Sequence, residues 1–167
     1  MKRLAFSLAL IPVALGAGTA CAQGPAEITP DNLLEFGPTE RLVIVGESGE
    51  HVFEVEVADE LAEQRQGLMW REELAPDAGM LFEYDEPLVA SIWMKNTPLP
   101  LDILFVRPNG RILKIEHNAQ PYKLKSMTSE APVIAVIELN GGRAEDLGIA
   151  PGDLVRHEFF GTETSTG

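Results

Sequence analysis

From residue 41 onward the apolar residues fall in short runs, many alternating with polar ones and separated by glycine, proline or acidic turn residues. That spacing predicts strands in preference to long helices. Residues 41–46 and 51–57 read as a hairpin joined through Glu47-Ser48-Gly49-Glu50, with Phe53, Val55 and Val57 on one face and Glu54 and Glu56 turned outward. Asp59 is expected to cap a short helix that carries Leu61 and Leu68 and stops near Gly67. Residues 80–84 and 91–94 then read as strands on either side of a turn at Asp85-Glu86-Pro87. Residues 101–106 and 111–117 form the clearest hairpin, because Pro108 sets the turn entry and Gly110 supplies a residue with positive φ. A buried strand over 132–139, one helical turn over 143–147 and a closing strand over 154–160 complete the pattern. The fold class expected is mainly β (β-dominated α+β): a single compact barrel-like or sandwich domain with one or two short helices, spanning 40–160.

The ends of the chain read differently. Lys2 and Arg3 precede an apolar run over 4–15 and a small-residue stretch over 16–22, the layout of a secretory signal peptide. The run falls well short of the roughly 20 residues that span a bilayer as a helix, and no later segment approaches that length. Two processing sites compete: cleavage after Ala22 in Ala20-Cys21-Ala22, and a lipid anchor on Cys21 within Gly18-Thr19-Ala20-Cys21. A periplasmic or secreted protein, soluble or as a lipoprotein, is expected on either reading. Residues 23–39, with three prolines, suit an arm or linker, and residues 161–167 a frayed tail.

Charge narrows the partners. The chain carries 26 acidic and 13 basic residues, and loss of the leader removes two of the basic ones. A surface this acidic repels nucleic acid and anionic lipid, leaving a small ligand or an envelope protein as partner and a monomer as the expected state. The single cysteine, Cys21, excludes an internal disulfide.

Three segments carry a longer pattern: Gly67-Leu68-Met69-Trp70-Arg71 with Gly79-Met80-Leu81-Phe82; Ile92-Trp93-Met94-Lys95-Asn96-Thr97-Pro98-Leu99-Pro100-Leu101-Asp102-Ile103; and Glu138-Leu139-Asn140-Gly141-Gly142 with Gly152-Asp153. Together they resemble domain-of-unknown-function family 192 over residues 50–160, with Trp70 and Gly142 as departures. The resemblance implies a compact β-rich fold found in exported bacterial proteins and in archaea, and it brings no established activity.

The chemistry must therefore be read from the residues. Pro98 and Pro100 stiffen the loop that presents Lys95, Asn96 and Thr97, which offers an ammonium, an amide and a hydroxyl to a carboxylate, phosphate or sugar. Structural roles for Asn96 and Thr97 within the turn compete with that reading. Trp93 reads as core with one edge near the loop, or as a stacking surface. Asp102 lies in a strand apolar on both sides and needs a partner, for which Lys95 and the N–H groups of Asn96 and Thr97 are nearest in sequence. Glu138 raises the same question, with Arg71 as candidate counter-ion. Arg71, Trp93, Lys95, Asn96, Thr97, Asp102, Glu138 and Asn140 thus form the candidate ligand-binding set. Two alternatives remain: a hydrolase-like enzyme using Asp102 and Glu138 as an acid/base pair, and a copper protein using Met69, Met80, Met94 and Met127 with His51, His117 and His157. The sequence carries no G-x-S-x-G, no H-E-x-x-H and no phosphate-cradling glycine loop, so neither a catalytic set, nor a cofactor, nor a metal site is expected. Residues 142–155 look locally like the end of a PDZ domain, a likeness of turn chemistry without a carboxylate-binding loop ahead of it.

Overall fold

A computed structural model describes residues 26–162; the leader, Cys21 and residues 163–167 lie outside the described residues. After a one-turn 3-10 helix at Pro30–Asn32, the chain forms β1 (Glu40–Gly46), β2 (Gly49–Ala58), α1 (Leu61–Gln66), β3 (Ala78–Leu88), β4 (Ser91–Ile92), β5 (Leu101–Val106), β6 (Ile112–Ala119), β7 (Met127–Thr128), β8 (Val133–Asn140), α2 (Arg143–Leu147) and β9 (Leu154–Arg156). Seven strands make one sheet in the order β6-β5-β8-β3-β2-β1-β9, and β4 and β7 make a separate ribbon. The large sheet curls into a half-barrel. Its two ends meet at the β5–β6 turn, where the Ile112 amide donates to the Asp153 carbonyl (2.9 Å) and the Val155 amide to the Gly110 carbonyl (2.8 Å).

All neighbours in the sheet are antiparallel except β2 and β3, which run parallel from Glu54↔Ala78 to Ala58↔Phe82. Parallel neighbours need a crossover. Here it is α1 and the loop that follows, which lie over one face of the sheet. The register sorts every strand into an inner and an outer face. Leu42, Ile44, Phe53, Leu81, Leu104 and Ile137 belong to the inner core, where Ala144 and Ile149 from the α2 region join them. Met80, Phe82, Met94, Ile103, Phe105 and Val136 form the outer core. β5, buried at every position, separates the two. Each large side chain buried this way contributes about 1.5–3 kcal/mol before chain entropy is subtracted.

Several elements depart from the sequence expectation. The α1 N-cap is Glu60, not Asp59: its amide donates to Glu63 Oε2 (3.2 Å), and Leu61 is exposed to solvent. β3 runs through Asp85-Glu86-Pro87 to Leu88 with no turn there. Proline is tolerated because the ladder to β8 is irregular between Glu83 and Leu88. The strand expected over 91–94 shrinks to Ser91–Ile92, paired with the unforeseen β7. The closing strand ends at Arg156, after which Glu158–Phe160 form a 3-10 turn capped by the His157 side chain, which accepts from the Phe159 amide (3.3 Å). Among the described residues no helix is long and apolar enough to cross a membrane.

Candidate functional site

The two acids singled out from sequence point to opposite faces of the sheet. Asp102 pairs with Leu139, whereas Glu138 pairs with Ile103. Side chains directly opposite one another in a ladder share a face and successive residues alternate. Asp102 therefore faces the inner core and Glu138 the outer one, which overturns an acid/base pair sharing a cleft.

Asp102 is fully buried and accepts three backbone hydrogen bonds: from the Asn118 amide (2.7 Å) and the Gly142 amide (3.0 Å) at Oδ1, and from the Ala144 amide (2.7 Å) at Oδ2. Lys95 and the loop amides of Asn96 and Thr97, expected as its partners, stand on the other side of the sheet. Gly142 begins α2 with φ 86° and no capping side chain, so a carboxylate from a different strand satisfies the helix's first amides. Asp102 is thus a latch joining β5, β6 and α2. Asn140 has a comparable duty, since its Nδ2 donates to the carbonyls of Leu74 (3.1 Å) and Ala75 (2.8 Å) and holds the loop that leads into β3. Arg71 pairs with Glu56, not with Glu138.

Glu138 remains without a partner. On the outer face it lies in a cross-strand row with Glu56, Met80, Ile103 and Glu116, flanked directly by Met80 and Ile103. The residue is only 5% exposed and its carboxyl makes no hydrogen bond among the described residues, but its oxygens are not sealed: the one enclosed side-chain polar atom without a partner among the described residues is Arg143 Nε. Burial alone pushes its pKa from 4.5 up to about 8. Tyr84 lies near enough that burial first, and the Glu138 charge second, push its phenol up to about 12.

Above Glu138 the structure opens into two adjoining chambers. The inner one, about 80 Å³, has Glu138, Phe82, Leu68 and Thr97 among its lining residues. The outer one, about 410 Å³, is bounded by Asn96 and by Ala26, Glu27 and Ile28 of the N-terminal arm. Gln64, Arg65, Met69, Trp93 and Lys95 line both. Trp93 is half exposed, with Lys95 Nζ 5.4 Å from its ring centroid. The arm is tied down by the Leu34 amide donating to Gln66 Oε1 (2.6 Å), by Gln66 Nε2 donating to the Leu34 carbonyl (3.0 Å) and by Trp70 Nε1 donating to the Ile28 carbonyl (3.3 Å).

The prolines are only part of what stiffens the loop of Lys95, Asn96 and Thr97. The Met94 amide donates to the Lys123 carbonyl (2.9 Å) and the Tyr122 amide to the Thr97 carbonyl (3.2 Å). The Trp70 amide donates to the Asn96 carbonyl (2.7 Å), and both Trp70 (φ 63°) and Asn96 (φ 55°) have left-handed backbone. A bulky residue such as tryptophan rarely adopts that conformation, so the contact between the two loops is held at a cost in backbone strain.

Of the candidate set, the structure brings Trp93, Lys95, Asn96, Thr97 and Glu138 to one cleft, and places Arg71, Asp102 and Asn140 elsewhere in structural roles. Sequence reasoning missed Gln64, Arg65 and the arm. The copper set is dispersed in role: Met80 and Met94 fill the outer core, Met127 packs against it, His51 bonds the Ser48 hydroxyl, His117 is exposed and His157 lies against Glu40. Among the described residues no group of three or more His, Cys, Asp or Glu side chains could hold a metal ion.

Residues 43–157 match the sequence profile of DUF192, described as an uncharacterized ACR family. A solved structure from Sinorhizobium meliloti 1021, titled a putative transcription regulator, is 39% identical with a TM-score of 0.73, covering 77% of this chain and 99% of that one. A protein of unknown function from Novosphingobium aromaticivorans DSM 12444 is 43% identical with a TM-score of 0.71, covering 81% of this chain and 94% of its own. No curated protein matches.

Proposed function

We propose that this chain, which belongs to the DUF192 family, is an exported, non-enzymatic binding module of the bacterial envelope that holds a small ligand in the cleft above Glu138. The observation that carries this reading is Glu138 itself. A carboxyl on a largely buried residue that makes no hydrogen bond among the described residues, and whose oxygens open into a chamber rather than being sealed in the core, offers a group that a ligand can engage. Lys95, Asn96 and Trp93 stand above it on a loop pinned at several points, so the polar groups are positioned before a ligand arrives. Catalysis gains no support from the geometry, because the second acid is engaged by backbone amides on the opposite face. The regulator title of the Sinorhizobium meliloti structure is not transferred, since a twofold excess of acids over bases works against binding a phosphate backbone.

The test is to express the full chain in a Gram-negative host, recover it from the envelope fraction, and screen its melting temperature against sugars, cell-wall fragments, small carboxylates and amines. A ligand that binds only the folded state raises that temperature. A shift present in the wild type and lost in both Lys95→Ala and Glu138→Leu, which removes every polar atom of the floor, is expected. A chain retained in the cytoplasm would refute the export reading, and shifts indifferent to both substitutions would refute the cleft.

A further inference from the structure

In a chain with twice as many acidic as basic residues, the cleft mouth is locally cationic. Arg71, Lys114, Arg143 and Arg156 each form a salt bridge with a carboxylate. Arg65 and Lys95 form none among the described residues, nor do Arg41, Arg107, Arg111, Lys123 and Lys125, but Arg65 and Lys95 are the two cations that line both chambers. Glu27, on the arm, is the one acid among the residues bounding the outer chamber, and Glu138 the one at the inner. Unpaired cations around a cavity attract anions along their path into it, and the low-dielectric walls strengthen the attraction.

We infer that the cleft selects a small organic anion whose charged group is held by Arg65 and Lys95, whose body lies against Trp93 and Met69, and whose uncharged inner end accepts a hydrogen bond from the carboxyl of Glu138. This assignment rests on the reading of the cleft as a ligand site and names the ligand's class. The chamber sizes agree with it: about 410 Å³ suits a molecule of metabolite size, and about 80 Å³ admits only a narrow end group. The floor agrees as well. Below about pH 8 Glu138 keeps its proton, and a protonated carboxyl donates. The charged groups that could alter this from neighbouring elements are otherwise engaged: Glu56 on β2 is paired with Arg71, and Glu116 on β6 with Lys114. The Tyr84 phenol on β3 stays neutral to about pH 12. A cationic ligand would have to pass two positive side chains to reach an acid that carries no charge at neutral pH.

Three probes of matched shape separate the possibilities by calorimetric titration: para-methoxybenzoate, para-methoxybenzamide and para-methoxybenzylamine. They share a ring for Trp93 and an ether oxygen for Glu138, and differ only in charge at the other end. The benzoate is expected to bind about tenfold or more tightly than the amide. That preference should vanish in an Arg65→Ala/Lys95→Ala double variant. Benzoate affinity should fall between about pH 6.5 and about pH 9 in the wild type as Glu138 ionises, and stay level in Glu138→Gln, whose amide still donates. Preferred binding of the amine, strengthening with pH and lost in Glu138→Gln, would overturn the anion assignment while leaving the cleft intact. Benzoate binding that survives the double variant, or no binding by any of the three, would also overturn it; the cleft reading falls only if the wider screen also yields no ligand.

Discussion

Replacing Glu138 with glutamine tests the chemistry of the cleft floor without any ligand. The unfolded chain releases this proton near the ordinary value of 4.5 and the folded chain near 8. Between those values the folded state holds one proton more than the unfolded state, so the contribution of Glu138 to stability is complete below pH 4.5 and is lost as pH rises toward 8. Each pH unit in that window costs about 1.4 kcal/mol. Over the two and a half units from pH 5 to 7.5, wild type should therefore lose about 3 kcal/mol relative to Glu138→Gln. Other titrating groups, including Glu83, which burial pushes up to about 7, act on both proteins and cancel in the difference. The amide's own effect on packing adds a constant offset that does not alter the slope. Urea melts of both proteins at half-unit pH steps give the quantity directly. A gap that stays level with pH, or one that widens in favour of wild type, would mean that Glu138 is paired or solvated, and the argument for a ligand-completed site would go with it.

Two further substitutions examine the frame around the cleft. Asp102→Asn sets an amide nitrogen against a backbone N–H in a fully buried position, and is expected to cost about 3 kcal/mol and to speed amide exchange at Asn118, Gly142 and Ala144; unchanged exchange at those three would refute the latch. Gly79→Ala would bring a Cβ within 2.7 Å of the Glu138 carbonyl and 2.8 Å of Leu139 Cδ2, on the strand paired with β3, and should lower the urea-melt stability by about 1–3 kcal/mol; a neutral result would show that the two strands can part.

What the sequence disclosed was mostly local. The β5–β6 hairpin is legible because Pro108 and Gly110 mark its turn between a strand that is apolar but for Asp102 and one that mixes Ile112, Leu113 and Ile115 with charged residues, and α2 is found at its expected residues. The parallel β2–β3 pair was hidden, since partners separated by a crossover leave no local mark. β4 and β7, at two residues each, are too short to show a period. The same non-locality explains the errors at the site. Alternation shows that Asp102 and Glu138 are buried, yet only the register between β5 and β8 reveals that they face apart. Lys95, Asn96 and Thr97 stood out through the family pattern. Arg65 and Gln64 belong to no motif, and nothing in their spacing shows that the outer chamber opens beside them.

The separation of the sheet into two faces has a consequence for how this fold can change over generations. The inner face, closed by α2 and latched by Asp102, shares no side chain with the cleft; the outer face supplies only the floor, while the mouth belongs to α1, the arm and the loop of Lys95. Under the proposed binding function, specificity can therefore drift by exchange of mouth residues while the scaffold beneath stays as it is. The exchange is confined to side chains such as Arg65 and Lys95, because the backbone that presents them is held by the hydrogen bonds of the Trp70 and Asn96 loops.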